Sequence, residues 1–148
     1  MHIGDEMDKS SIENKKAILL DYYEGAYGPT IRIDVQSHMA LTIIKDLFLQ
    51  LAESKKTMID LVQIDSVKAI GLNALLLKGV PDNQEPDKKL VLSSHTVTGN
   101  FFEWTMSLRN WKRAAGLIDG LLEYNRPGHQ YLTEEAIDDA LVELAFLE

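Results

Sequence analysis

The chain has 148 residues, 45% hydrophobic and 26% charged, which is length and apolar material enough for a single domain, residues 1–148, with a proper core. It contains no cysteine, so disulfides, thiolate nucleophiles and cysteine-ligated zinc are excluded, and this agrees with a cytoplasmic site. A formal charge of −8, from 15 Lys and Arg against 23 Asp and Glu, opposes nonspecific binding to nucleic acid and favours a basic partner.

In chain order, residues 1–10 are polar and expected to be disordered. The apolar run Ala17 to Tyr23 fits a strand or, with the capping-box pair Ser10 and Glu13, a helix. A Gly-Ala-Tyr-Gly-Pro break follows at 25 to 29, and then Ile31, Ile33 and Val35 alternate with Arg32 and Asp34, the period of a strand with one buried face. Leu41, Ile44, Leu47, Phe48 and Leu51 recur at three and four, as a helix stripe does, with Ser37 as its cap and Lys55 and Lys56 at its far end. Met58 to Ile64 and Asn73 to Val80 read as further strands, and Pro81 to Lys89 as a loop between the structural halves 11–80 and 90–148.

The second half repeats this order. Leu90 to Ser94 and Phe101 to Ser107 read as strands around a Thr-Gly-Asn turn. Trp111, Ala114, Leu117, Ile118 and Leu121 form a helix stripe seventy positions after the first, with Asn110 as the expected cap and Arg126-Pro127-Gly128 as the stop. Gly116 and Gly120 inside this helix suggest a close approach to the sheet. Residues 134–138 read as a turn or short helix, and Leu141 to Leu147 fit either period, the two-copy pattern favouring a strand. The expected fold is therefore α+β: two amphipathic helices packed on antiparallel-rich sheet, a ββαββ pattern written twice.

No chemical signature accompanies this scaffold. His2, His38, His95 and His129 show no metal-ligand spacing, and there is no EF-hand, nucleophile elbow or phosphate loop, so no catalytic residue, metal or cofactor is assigned. Asp119 with Glu123 and Asp138 with Asp139 are carboxylate pairs too common to specify a site. His129, Gln130 and Tyr131 follow a Pro-Gly and read as a structural turn, while Trp104 and Trp111 fall on core faces. Tyr23 and Tyr27 flank the glycine-rich break and are candidates for an exposed contact. After Arg126 no basic residue occurs, so Glu134, Glu135, Asp138 and Asp139 are candidates for an acidic partner-binding face.

Trp111, Gly-Leu-Ile-Asp-Gly-Leu-Leu at 116 to 122, Gly-His-Gln-Tyr-Leu at 128 to 132 and Asp-Asp-Ala-Leu-Val-Glu at 138 to 143 together resemble small acidic bacterial proteins of the toxin-immunity type. The resemblance implies an inhibitor that occludes a basic protein with carboxylates, acting without membrane or nucleic acid. A homodimeric or monomeric adaptor, and a small-molecule or metal-dependent enzyme with His129 or His95 in a pocket of converging carboxylates, are the alternatives.

Overall fold

The computed structural model describes residues 17–96, 99–133 and 138–148; the Ser10–Glu13 capping box and Glu134 and Glu135 lie outside them, as do residues 1–10. The elements run β1 (Ile18–Gly25), β2 (Gly28–Val35), α1 (His38–Ala52), β3 (Met58–Asp60), a 3-10 turn (Leu61–Gln63), β4 (Val67–Ile70) and β5 (Ala74–Val80). The second half continues with β6 (Lys88–Thr96), β7 (Gly99–Ser107), α2 (Leu108–Tyr124), β8 (Gly128–Tyr131) and β9 (Leu141–Phe146). The fold is α+β, two helices on two sheets: a five-stranded sheet A in the order β4-β1-β2-β9-β8 and a four-stranded sheet B in the order β3-β5-β7-β6. Both sheets are mixed rather than simply antiparallel, since β1 with β4, β2 with β9 and β5 with β7 run parallel.

The pairings repeat with the two-copy pattern. Hairpin β1–β2 corresponds to hairpin β6–β7, the parallel pair β2–β9 to β7–β5, and the antiparallel pair β9–β8 to β5–β3. Each sheet thus takes its hairpin from one half and its closing strand pair from the other. The helix caps also correspond, Ser37 accepting from the amide of Ala40 and Ser107 from that of Asn110.

Local chemistry sets the boundaries, and at several points it departs from the sequence reading. Ser107, not Asn110, caps α2, because the serine that ends β7 is already extended and its hydroxyl faces the first free amides. Asn110 instead donates to the Asp87 carbonyl from inside the helix. Lys55 and Lys56 lie beyond the last turn of α1 and contribute backbone amides to the Gln50 carbonyl. The run from Met58 stops being a strand after three residues, where Asp60 accepts from the amides of Val62 and Leu75 and turns the chain. The short strand β4 escaped the sequence reading altogether, and His129, Gln130 and Tyr131 form an edge strand rather than a turn. Residue 88 already belongs to β6, which shortens the connecting loop to 81–87.

Apolar side chains from both sheets and both helices make one core. At its centre Phe48 of α1, Trp104 of β7 and Trp111 of α2 meet with ring centroids 4.9 to 5.9 Å apart. The Trp111 indole N–H donates to the Lys78 carbonyl at 2.8 Å and fixes α2 to β5. The close approach that the sequence suggested at Gly116 and Gly120 occurs instead at Gly79. A Cβ there would lie 3.3 Å from Leu108 Cδ2 and 3.4 Å from the Leu51 carbonyl, whereas one at Gly116 or Gly120 would meet nothing within 4 Å.

The edges of the sheets are covered differently. In sheet A, β4 lies along β1 and pairs with it by backbone hydrogen bonds. In sheet B the equivalent edge, β6, is met by residues 138–139: the Asp138 carboxylate accepts from the Leu90 amide and the Asp139 carboxylate from the Leu92 amide, each at 2.7 Å, while the Asp139 amide donates to the Leu90 carbonyl. Among the described residues no helix is long and apolar enough to cross a membrane.

Candidate functional site

Alternation in β2 sends Ile31, Ile33 and Val35 into the core, so Arg32 and Asp34 face outward. Strand register then builds a row across the outer face of sheet A. Asp21 sits beside Arg32, Arg32 beside Glu143 and Glu143 beside Tyr131, with Tyr23, Thr30 and Leu141 forming the next row and Asp34, Ala145 and His129 the previous one. Tyr27, 62% exposed, stands at the tip of the β1–β2 hairpin, where the following Gly28 has φ +106°, a conformation that glycine adopts without strain. Tyr23 and Tyr131 are also exposed.

The middle of this face is buried, Glu143 together with its neighbours Thr30, Leu141 and Ala145. Glu143 is 8% exposed, yet among the described residues no donor hydrogen-bonds its carboxylate; the nearest cation is Arg32, with Nη1 3.8 Å away. Arg32 stands 4.0 Å from Glu148 as well. Both distances exceed those of charge-assisted hydrogen bonds, about 2.7–2.9 Å, so the guanidinium supplies charge without a directed bond. The Glu148 carboxylate instead accepts from His129 Nδ1–H at 3.0 and 3.1 Å, which assigns the proton to Nδ1 because a carboxylate only accepts. The backbone reaches this arrangement through Leu147, whose φ of 59° is left-handed and whose amide donates to the Val35 carbonyl.

This bond to Glu148 raises the His129 pKa above its ordinary value; partial desolvation opposes it, the negative charges of Glu148 and Glu143 add to it, and Arg32 subtracts. The Tyr131 hydroxyl is raised first by desolvation and then by the fields of Glu143, Tyr27, Tyr23 and Glu148. The imidazole and the Tyr131 ring meet edge to face at 5.7 Å.

Of the residues singled out in the sequence, Tyr23, Tyr27, His129 and Tyr131 come together here. Gln130 lines a groove of about 290 Å³ between the end of α2 and β8, which His129 also borders but no carboxylate lines. Asp138 and Asp139 lie on the other sheet as acceptors for the β6 edge. His38 opens α1, against Phe146 and Asn125, and Asp119 pairs with Lys45. Arg32, Glu143 and Glu148 were missed as site residues. The available signal was Glu143 itself, a single charge in a strand, Leu-Val-Glu-Leu-Ala-Phe, that is otherwise apolar on both faces.

No family model, curated protein or solved structure matches this chain.

Proposed function

We propose that the protein is a protein-binding module, an inhibitor of the immunity type, that meets a basic partner with the outer face of sheet A. The observation that carries this reading is the composition of that face: three exposed tyrosines around an arginine, with Asp21, Asp34, Glu143 and Glu148 outnumbering Arg32 and Lys68. Tyrosine and arginine dominate interface hot spots because they bury large amphipathic surface at little cost in side-chain entropy. The excess of carboxylates speeds encounter with a basic protein and disfavours acidic ones. A strand face suits occlusion of another protein's surface better than enclosure of a small substrate.

This reading moves the contact surface away from Asp138 and Asp139, whose carboxylates are engaged by backbone amides, and keeps Tyr23 and Tyr27. The test is a pull-down from the native host with the protein as bait, followed by affinity measurement on the retained partner. The expected partner is basic and released by salt. Tyr23→Ala and Tyr131→Ala should each weaken it by about thirtyfold, the equivalent of about 2 kcal/mol for a hot-spot residue. Unchanged affinity in both variants would refute this face as the contact surface.

A further inference from the structure

We propose that His129, Glu143 and Glu148 form a binding site for a divalent transition-metal ion of the zinc class. A ring nitrogen of His129 and one carboxylate oxygen from each glutamate lie within 4.8 Å of one another. Three separate pieces of backbone deliver them: β8 carries His129 beside Ala145, β9 carries Glu143 two residues earlier on the same face, and the left-handed Leu147 sends the chain to Glu148.

The Glu143 side chain is nine-tenths buried, and its ion pair with Arg32, at 3.8 Å, is made without a directed hydrogen bond, which leaves room on the carboxylate for a closer cation. A second carboxylate, Glu148, lies in the same small space. A divalent ion engages both carboxylates at once. It takes the place of the proton between His129 Nδ1 and Glu148, whose 3.0 Å separation is close to the spacing of two donor atoms on a tetrahedral ion with bonds of about 2.0–2.1 Å.

The donor set selects the class of ion. One imidazole nitrogen with two carboxylate oxygens suits zinc and its neighbours, whereas calcium and magnesium favour sites made wholly of oxygen. Three protein ligands leave a fourth position to water. Arg32 reduces affinity through its charge, so Arg32→Gln strengthens binding. The inference is independent of the partner-binding reading, since it concerns the isolated chain.

The test is calorimetric titration of Zn²⁺ into chelator-treated protein, with wild type, His129→Ala, Glu143→Gln and Arg32→Gln compared and far-ultraviolet circular dichroism confirming each fold. The result expected is one ion per chain in the wild type, a loss of at least about tenfold in affinity for the first two variants, as even the loss of an outer-shell partner causes, and a gain for the third. Absence of wild-type binding would overturn the proposal. So would binding that persists undiminished in folded His129→Ala, because the ion would then be held by other residues.

Discussion

Replacing Asp138 and Asp139 together by alanine should destabilise the protein without touching the outer face of sheet A. Each carboxylate accepts a 2.7 Å bond from an amide on the exposed edge of β6, and nothing else described on that edge pairs with these two amides. A hydrogen bond to a charged group contributes about 1.5–3 kcal/mol, with Asp139 at the lower end because it is exposed to water. The double variant should therefore lose about 3 kcal/mol. At roughly 2–4 °C per kcal/mol for a chain of this size, the melting midpoint falls by about 6–12 °C. With a urea slope of about 2 kcal/mol/M, the denaturation midpoint falls by about 1.5 M at unchanged slope. The double asparagine variant keeps a neutral acceptor at each position and should recover about half of the loss. Urea melts followed by tryptophan fluorescence measure both. A double alanine variant that melts within about 2 °C of wild type would show that the carboxylates do not hold the edge, and would reopen them as a partner surface.

Gly79→Ala should cost about 1–2 kcal/mol, because its Cβ presses on Leu108 and the Leu51 carbonyl, whereas Gly116→Ala, with open space around it, should stabilise by roughly 0.5–1 kcal/mol; equal effects in thermal melts would contradict the packing described. Trp111→Phe should cost about 2–4 kcal/mol by leaving the Lys78 carbonyl without its donor and opening a void, and a melt indistinguishable from wild type would refute that role. In metal-free protein the raised pKa of His129 means that its bond to Glu148 adds stability in full below the unfolded-state value near 6.5 and loses that contribution as pH rises through the folded-state value. NMR titration should place the His129 midpoint lower in Glu148→Gln than in wild type, and an unmoved midpoint would assign the shift to another cause.

Period and capping chemistry made most of the scaffold legible. The alternation of Ile31, Ile33 and Val35 and the stripe from Leu41 to Leu51 each state a face and a period, and the structure keeps both. What failed were assignments that depend on partners far along the chain. Val67 to Ile70 is too short to announce itself and becomes a strand only because β1 offers it a parallel edge. Ser107 does double duty as strand end and helix cap, so local preference pointed three residues too late, to Asn110. The site was half visible. Tyr23 and Tyr27 flank a turn and declare themselves, but Arg32, Glu143 and Glu148 meet only through the register of β2, β9 and β8, and no local pattern records that register.

The exchange of closing strands between the halves bears on how the chain responds to being cut. In β2–β9 pairing, Thr30 lies beside Leu141, so sheet A stays incomplete until segments more than a hundred residues apart have found each other. Such distant pairing makes for slow folding, because chain entropy is lost before the contact is gained. It also makes the connecting loop at 81–87 a tether rather than a boundary. A protease that nicks it would release neither half, because each fragment carries strands that complete the other's sheet; the two pieces should stay together through non-covalent contacts alone and part only on denaturation. Expressed separately, the same two pieces would be unable to finish a sheet singly, yet would hold complementary edges for reassembly when mixed.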